Sequence, residues 1–281
     1  MDLPDLSLGL HGTHVLVTGG AGYIGSATVK TFLAAGAIVS ALDINDEKMK
    51  AFPHHPNLFW HRVDMTSEGG LESAFETVRQ QHGVVQVCVA LASVDYSYLA
   101  HHASLADMPL AQWRETMRVN VEGTFLTART WLRQLKAHAT TAGATATARN
   151  LSLIIIGSEA AETGVTGNAD YGSGKAAVQI GLVQSLKKDV VKIHPRARVN
   201  AIAPGAVDTP QFRKECEEDP DEMWRAAQAT TALGAPVALD AVARSVVFLA
   251  SENWSGNVTG QVLSVDSGKQ GKVHWMPGEV G

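Results

Sequence analysis

The residues of this chain best suited to chemistry are Tyr171 and Lys175, with Ser158 thirteen positions before the tyrosine. A free phenol ionises near pH 10, about three units above neutral, so an isolated tyrosine is a poor base. A lysine ammonium nearby favours the phenolate and lowers the pKa of the tyrosine. Such a tyrosine could pass a proton to or from an alcohol oxygen, while a serine hydroxyl held the same oxygen. The pattern therefore predicts acid–base chemistry on an alcohol or carbonyl group.

The elements around these residues are predicted to bring them together. The apolar run 153–156 ends at Gly157, which is typical of a buried strand. Ser158 follows at the carboxyl end of this strand, where open α/β sheets bind their ligands. Tyr171 and Lys175 lie one turn apart on a helix predicted over 171–191. The alternative is an ordinary surface tyrosine beside a solvated lysine, because two residues at this spacing often occur by chance.

A glycine-rich turn near the N-terminus predicts a nucleotide. A strand over 13–17 leads into the sequence TGGAGYIG at 18–25, and a helix to Ala35 and a strand over 38–42 follow. Glycines in such a turn let the backbone approach a pyrophosphate, and the helix N-terminus offers N–H groups and a partial positive charge. The alternative is a glycine-rich turn that binds nothing.

Two acidic residues follow neighbouring predicted strands. Asp43 ends the second strand, where its carboxylate can accept hydrogen bonds from a ribose and would repel a 2′-phosphate. This favours NAD over NADP, although Arg62 leaves NADP open, since a cation elsewhere could accept the phosphate. Asp64 follows the third predicted strand, over 57–63, where it either contacts the adenine or caps the next helix.

The whole pattern predicts one Rossmann-type α/β domain, residues 1–281, with about seven parallel strands in a doubly wound sheet and helices on both faces. Further strands are predicted at 84–89, 198–202 and 261–265, and further helices at 71–81, 110–135 and 239–249. Outside this core we expect an N-terminal arm (1–12), a flexible insert (137–149), a flap over the substrate (206–236) and a C-terminal tail (269–281). Asn120 has poor helix propensity in the helix 110–135, so it either packs against the helix of Tyr171 or is tolerated there.

Composition excludes several classes of protein. The chain has 281 residues, 45% of them hydrophobic, and a net charge of −5, which argues against a nucleic-acid partner. Its two cysteines, Cys88 and Cys216, form neither a disulfide framework nor a metal site, so we expect a reducing compartment and no metal. The N-terminus does not read as a signal peptide, and no apolar run is long enough to span a membrane. We therefore expect a cytoplasmic protein that has no membrane partner.

Together these features resemble the short-chain dehydrogenase/reductase family, in its compact single-domain branch, over about residues 12–268. The resemblance implies an NAD(P)-dependent enzyme that interconverts a secondary alcohol and a ketone by hydride transfer. It implies that Tyr171 is the general acid/base, that Lys175 lowers its pKa and holds the nicotinamide ribose, and that Ser158 orients the substrate oxygen. Asn120 would anchor a water that links Lys175 to solvent. The implied cofactor contacts are Thr18, Gly19, Gly22, Tyr23, Ile24, Gly25, Asp43, Asp64, Ala92, Tyr171, Lys175, Pro204, Gly205, Val207 and Thr209.

The resemblance also implies a homo-oligomer, a tetramer or a dimer, formed by pairing the long helices that carry Asn120 and Tyr171. Its substrate would be a small molecule. Mixed aromatic and acidic side chains in the neighbouring loops suggest a medium-sized, partly polar or cationic compound; they are Tyr96, Tyr98, Glu159, Glu162, Asp208, Phe212 and Trp224.

Two positions depart from the pattern of the compact branch. Tyr23 gives the glycine-rich turn the spacing of the longer, epimerase-like branch, and Ala90-Leu91-Ala92-Ser93 replaces the usual Asn-Asn-Ala-Gly. Two other functions therefore remain open. One is non-redox chemistry with a bound cofactor, such as epimerisation, dehydration or cyclisation, and the other is a nucleotide-binding module without turnover.

Overall fold

A single parallel sheet organises the chain. The structure, a computed structural model, describes residues 5–139 and 148–276. The sheet order is β3-β2-β1-β4-β5-β6-β7, with every neighbouring pair parallel. The strands are β1 (His14–Thr18), β2 (Ile38–Asp43), β3 (Leu58–Arg62), β4 (Val87–Ala90), β5 (Ser152–Ile156), β6 (Arg198–Pro204) and β7 (Val262–Val265). The predicted Rossmann-type α/β fold is confirmed.

The helices connect these strands and cover both faces of the sheet. They are α1 (Tyr23–Ala34), α2 (Asp46–Lys50), α3 (Glu68–His82), α4 (Leu110–Thr116), α5 (Gly123–Ala139), α6 (Ala160–Thr163), α7 (Ala169–Ala176), α8 (Val183–Ile193), α9 (Pro210–Glu218), α10 (Leu239–Ala250) and α11 (Glu252–Ser255). Three segments are π-helical. Met117–Glu122 joins α4 to α5, Ala177–Leu182 joins α7 to α8, and Met223–Gln228 follows α9.

The core forms two layers, one on each face of the sheet. Successive side chains of β5 alternate between them: Leu153 and Ile155 pack with Trp131 of α5, while Ile154 packs with Phe32 of α1. Because both faces are covered, the central strands are apolar throughout rather than alternating with polar residues. This explains the continuous apolar run that predicted β5.

The order of the strands creates a crevice at one edge of the sheet. After β1 the chain builds outward through β2 and β3, and it then returns to place β4 on the other side of β1. The connections leaving β1 and β4 therefore run to opposite faces of the sheet, and the gap between them is where such sheets bind ligands.

Several element boundaries differ from those predicted. β4 begins at Val87 rather than at residue 84, and α5 continues to Ala139, into the predicted insert 137–149, of which residues 140–147 lie outside the described part. Residues 5–12 do not form a loose arm. Leu10 is buried, and the carbonyl of Gly9 accepts a hydrogen bond from Asn150 Nδ2 at 2.8 Å.

No helix within the described ranges is long and apolar enough to cross a membrane.

Arg198 ties the sheet to the carboxyl ends of two helices. It is 4% exposed, and its guanidinium donates to the carbonyls of Leu249, Ala250 and Ser255 at 2.9–3.1 Å. The last carbonyls of a helix have no backbone donor within the helix, and this buried arginine donates to three of them. The carbonyl of Leu249 also accepts from the hydroxyls of Ser152 and Ser255. Burial lowers the pKa of Arg198 to about 10, which leaves it charged at neutral pH.

Replacing Arg198 should therefore destabilise the fold. We expect Arg198→Met to lower the free energy of unfolding by about 2–4 kcal/mol, because several buried carbonyls lose a charged donor. Urea denaturation of both proteins would measure this difference. Arg244→Met is the matched control, since Arg244 is 73% exposed in an ion pair with Asp240 and should change stability by less than about 1 kcal/mol. Equal losses in the two variants would contradict this role for Arg198.

Candidate active site

The carboxyl ends of the strands open into a cleft of about 1300 Å³. Most of the predicted site residues line it: Gly19, Gly22, Tyr23, Ile24, Asp43, Asp64, Ala92, Ser158, Tyr171, Lys175, Pro204, Gly205, Val207 and Thr209. The other three, Thr18, Gly25 and Asn120, are buried next to these residues. The fold therefore brings together residues from Thr18 to Thr209, which are 191 positions apart in the sequence.

The turn after β1 allows unusually close approach between backbone segments. A Cβ on Gly19, which has a φ of +68°, would lie 2.8 Å from Cα of Ala92. A Cβ on Gly25 would lie 2.0 Å from the carbonyl oxygen of Gly19, so α1 can cross the turn only with glycine here. Tyr23 begins α1, and none of the described side chains caps this helix terminus. Its free N–H groups at the cleft suit an anion such as a pyrophosphate.

Thr18 holds the segment after β4 against this turn. Its Oγ1 accepts hydrogen bonds from the backbone N–H groups of Leu91 (3.0 Å) and Ala92 (3.2 Å) and donates to the carbonyl of Val89 (3.3 Å). The segment Ala90–Ser93 is therefore fixed through its backbone, without the asparagine side chains that the compact branch usually has there.

Asp43 both lines the cleft and braces the glycine turn. Its carboxylate accepts hydrogen bonds from the backbone N–H groups of Ala21 and Asn45, each at 2.9 Å. Arg62 is the register partner of Asp43 on β3, but its side chain is 65% exposed and lies 3.6 Å from Asp46. The carboxylate of Asp43, rather than the guanidinium of Arg62, lines this part of the cleft.

Asp64 does not cap the helix that follows it. Ser67 caps α3 instead, through its Oγ and the N–H of Gly70. Asp64 accepts hydrogen bonds from the N–H and Oγ1 of Thr66, at 2.9 and 2.7 Å, and these bonds hold the pKa of its carboxyl below the usual value. The capping alternative is therefore wrong, and Asp64 remains at the cleft wall.

Asn120 fixes the loop that follows β4. Its Oδ1 accepts from the N–H of Val94 at 2.7 Å, and its Nδ2 donates to the carbonyl of Val94 at 3.0 Å. It is 1% exposed and lies in the π-helical segment Met117–Glu122. Its Cβ also lies close to Gly174 of α7. Asn120 therefore packs beside the helix of Tyr171 and is not merely tolerated, although its hydrogen bonds go to the loop.

Ser158, Tyr171 and Lys175 meet where β5 ends. Ser158 donates its backbone N–H to Gln179 Oε1 (2.8 Å), and its hydroxyl accepts from the N–H of Ala160 (3.1 Å). On α7, Lys175 Nζ donates to the carbonyl of Ile156 (3.0 Å) and lies 5.6 Å from the ring centre of Tyr171. Lys175 Nζ also donates to Ser93 Oγ at 3.2 Å, so the lysine bridges the ends of β4 and β5.

The expected lowering of the Tyr171 pKa by Lys175 is not seen. Burial raises the pKa of Tyr171 well above 10, the charge of Asp95 raises it further, and a hydrogen bond with Ser158 opposes the shift. Burial also lowers the pKa of Lys175 to about 8, partly offset by Asp95. The lysine hydrogen-bonds to the strand end rather than to the phenol, so desolvation determines the protonation state of Tyr171. In this structure Tyr171 is a phenol at neutral pH.

The turn after β6 completes the far wall of the cleft. The carbonyl of Pro204 accepts from the N–H of Glu159 at 2.9 Å, and a Cβ on Gly205 would lie 2.9 Å from Cα of Asp266. Val207 pairs with Val237 in an isolated parallel bridge. Thr209 caps α9 by accepting from the N–H of Phe212 at 3.0 Å. This wall is thus held by backbone contacts with three neighbouring segments.

Only some of the predicted substrate-pocket residues line the cleft. Tyr96, Tyr98, Glu159 and Phe212 do so, whereas Glu162, Asp208 and Trp224 do not. Asp208 instead accepts hydrogen bonds from the guanidinium of Arg213 at 2.6 and 2.8 Å. Trp224 remains 44% exposed outside the cleft.

The sequence reasoning missed the contribution of the C-terminal tail. Lys269, Lys272 and Val273 line the cleft, and Lys269 Nζ lies 3.4 Å from Glu159 Oε1. Residues 267–270 run antiparallel to 230–233, with backbone hydrogen bonds of 2.7–3.1 Å. Nothing in the local sequence of the tail indicates this pairing, because it depends on a segment almost forty residues earlier.

The sequence reasoning did not predict the contact between Asp95 and Tyr171. Its Oδ2 lies 3.4 Å from the hydroxyl oxygen of Tyr171, and both residues line the same cleft. An acid in a polar loop gives no signal of its own in the sequence.

Comparisons with known proteins agree with this architecture. The family model described as enoyl-(acyl carrier protein) reductase matches residues 19–270. Dehydrogenase/reductase SDR family member 6 of Aquarana catesbeiana is 30% identical over 262 residues, which cover 92% of this chain and 98% of that protein. The 3-oxoacyl-(acyl-carrier-protein) reductase FabG of Thermotoga maritima is 29% identical over 264 residues, covering 92% and 98%. This chain therefore belongs to the short-chain dehydrogenase/reductase family, whose members are NAD(P)-dependent oxidoreductases.

Solved structures show the same fold. The crystal structure of gox2181 superposes with a TM-score of 0.76 at 24% identity, covering 93% of this chain and 96% of that one. A short-chain dehydrogenase/reductase from Brucella melitensis superposes with a TM-score of 0.72 at 22% identity, covering 92% and 97%.

Proposed function

We propose that this protein interconverts a secondary alcohol and a ketone with NAD as cofactor, and that Tyr171 is its acid/base. The observation that carries the proposal is the convergence of Tyr171, Ser158 and Lys175 at one strand end of a cleft whose other part is the glycine turn. The three side chains can hold a reacting oxygen, and the glycine turn can hold a dinucleotide.

The cofactor part of the cleft suits a dinucleotide in shape and in charge. The turn has glycine where a side chain would collide with the backbone, and the uncapped start of α1 offers N–H groups to a pyrophosphate. The cofactor would be held by Tyr23 and Ile24 at this helix terminus, by Asp43 at the ribose and by Thr209 at the far wall. When bound, it supplies the hydride donor or acceptor of the reaction.

Tyr171 is the general acid or base that gives or takes the proton of the substrate oxygen. In reduction its hydroxyl donates a proton to the carbonyl oxygen as the alcohol forms, and in oxidation the phenolate takes the hydroxyl proton of the alcohol. Because the pKa of Tyr171 is raised, the donating form predominates at neutral pH, so the residue is poised for reduction there. Ser158 would hold the same substrate oxygen, and we propose that Asn120 also orders a water that leads from Lys175 to solvent.

The two other functions have less support. Non-redox chemistry rests on the spacing around Tyr23 alone. A binding module without turnover would not require Ser158, Tyr171 and Lys175 to meet at the cleft, yet they do. The loop 90–93 that suggested such a module is well held by Thr18.

Tyr171→Phe tests the proposed chemistry. We expect the variant to lose about a thousandfold of the turnover rate, because it removes the hydroxyl proposed to exchange the proton of the substrate oxygen, while NADH affinity changes little. Turnover is followed by NADH absorbance and affinity by fluorescence titration. Tyr98→Phe, at an exposed phenol of the same cleft, is the control and should keep most of the activity. Full activity of Tyr171→Phe would show that the acid/base is another group.

Asp43→Asn tests the choice of cofactor. We expect the preference for NADH over NADPH to fall about tenfold, because the charge that repels a 2′-phosphate is removed while an oxygen remains to accept from Ala21. Titrating wild type and variant with both cofactors measures the ratio. A matched control is Asp46→Asn, since Asp46 lies beyond the cleft beside Arg62. An unchanged ratio in Asp43→Asn would contradict the ribose contact.

We also propose that two copies pair through the long helices that carry Asn120 and Tyr171. A groove of about 750 Å³ lies between the segments 113–125 and 177–185, and its walls are mainly apolar. Phe125 in this groove and Ile180 near it are each more than 40% exposed. Exposed apolar side chains on two adjacent helices are more stable when a second copy covers them than when they contact water.

Phe125→Asp tests the pairing. We expect wild type to sediment as a dimer or tetramer and the variant to shift towards the monomer, because a carboxylate cannot be buried in an apolar contact without a partner. Leu105→Asp places the same charge on an exposed leucine away from the groove and should leave the assembly intact. A wild-type monomer at micromolar concentration would contradict the proposal.

A further inference from the structure

Asp95 is held in place from both sides. Val94, directly before it, is held by the two hydrogen bonds between its backbone and the side chain of Asn120. Asp95 Oδ1 accepts from the N–H of Ser97 at 3.1 Å and so caps the short 3₁₀ turn Tyr96–Tyr98. With Oδ1 occupied, Oδ2 is the oxygen that faces the hydroxyl of Tyr171 at 3.4 Å. The loop therefore positions one carboxylate oxygen beside the group proposed to exchange the proton.

This contact cannot remain unchanged when substrate is bound. Among the described residues, the hydroxyl of Tyr171 is the donor that the structure shows for Asp95 Oδ2. Once the hydroxyl of Tyr171 turns to the substrate oxygen, Asp95 Oδ2 loses this donor inside a half-buried site. A charged acceptor without a donor in such a site costs free energy, so a substrate that brings its own donor is favoured.

The neighbouring charges also favour a donor at this position. Burial raises the pKa of Tyr96, whose ring lies 5.3 Å from that of Tyr171. The charges of four neighbouring carboxylates raise it further; they are Asp95, Glu222, Glu215 and Glu159. Arg225 neutralises Glu222 at 3.0 Å and Lys269 lies beside Glu159, but Asp95 forms no ion pair within the described residues. The charge of Lys175 also interacts with Asp95, but its ammonium donates to Ser93 and to the carbonyl of Ile156 instead. Asp95 Oδ2 is therefore an acceptor that an ammonium or a hydroxyl hydrogen can bind.

We propose that Asp95 is a specificity residue that binds a hydrogen-bond donor, a hydroxyl or an amine, on the carbon next to the reacting carbinol carbon. The substrate class is thus a vicinal diol or amino alcohol, or the matching ketone. A hydroxyl or amine on the adjacent carbon lies about a hydrogen-bond length from the reacting oxygen. Asp95 Oδ2 lies beside the Tyr171 hydroxyl in the same way, so a substrate oxygen bound to Tyr171 would bring this donor to Asp95. This inference rests on the proposed function, because it places the substrate oxygen at Tyr171.

A matched set of cyclic alcohols tests the inference. The probes are cyclohexanol, cis-cyclohexane-1,2-diol, 2-aminocyclohexanol and cyclohexane-1,4-diol, each assayed for NAD reduction at pH 8.5. The 1,4-diol has the same polarity as the 1,2-diol but carries its second hydroxyl out of reach of Asp95. We expect wild-type kcat/KM for at least one of the two vicinal probes to exceed that for cyclohexanol and the 1,4-diol by about tenfold to a hundredfold, the range for one hydrogen bond to a charged acceptor.

Asp95→Asn separates the role of Asp95 from the intrinsic reactivity of the probes. The amide oxygen can still accept from Ser97, which turns the NH₂ group towards Tyr171 in place of Oδ2. The ratio of vicinal to non-vicinal kcat/KM should then fall to near one. Glu218→Gln is the matched control, since Glu218 is an exposed cleft carboxylate 3.5 Å from Lys214, and this variant should keep the wild-type ratio.

The outcomes distinguish the inference from the function on which it rests. Preference for the 1,2-diol alone assigns a hydroxyl to the Asp95 position, and preference for the amino alcohol alone assigns an ammonium. Equal rates on vicinal and non-vicinal probes, or a preference that survives Asp95→Asn, overturn the role of Asp95 and leave the alcohol dehydrogenase function standing. Oxidation of no probe by wild type, with NAD shown to bind, overturns both.

Discussion

The geometry of the site depends on a pair of hydrogen bonds between the side chain of Asn120 and the backbone of Val94. Asparagine is a poor residue for the interior of a helix, and here it lies in a π-helical segment that turns its amide towards the loop after β4. That loop carries Ser93, which receives a hydrogen bond from Lys175, and Asp95, which contacts Tyr171. One buried amide thus sets the surroundings of both residues of the proposed acid/base pair, and it does so without touching the phenol.

Burial, rather than ion pairing, dominates the electrostatics at the end of β5. Lys175 is 3% exposed, and its ammonium donates to a carbonyl and a hydroxyl instead of to a carboxylate. Its pKa near 8 and the raised pKa of Tyr171 have the same origin, since desolvation disfavours the charged form of each group. The charge of Asp95 raises the pKa of both groups, so it opposes the effect of burial on the pKa of Lys175 and adds to that effect on the pKa of Tyr171. A ligand that neutralised Asp95 would therefore lower the pKa of both groups.

The fold and much of the cleft could be predicted because their signals are local. The apolar run of β5, the spacing of Tyr171 and Lys175 on one helical face, and the glycines of 18–25 each follow from a short segment. The contacts that were missed or wrong depend on where loops run in space. Asp95 meets Tyr171 across 76 residues, and Lys269 of the tail meets Glu159 across 110. Ser67 rather than Asp64 caps α3, since only the loop geometry decides which of two nearby oxygens reaches the helix terminus. The sign of the Tyr171 pKa shift likewise required knowing how deeply the phenol is buried.

The pairing of residues 267–270 with 230–233 has a kinetic consequence. A surface loop with free flanks opens by rotating about its two ends, but residues 230–233 are joined to residues 267–270 as a small two-stranded ribbon. Lys269 fastens the ribbon at its middle, through the carbonyl of Ala226 on one side and Glu159 on the other. Any opening of this side of the cleft therefore moves two segments of the chain together, and it must break the contacts of Lys269 as well as those of a single loop.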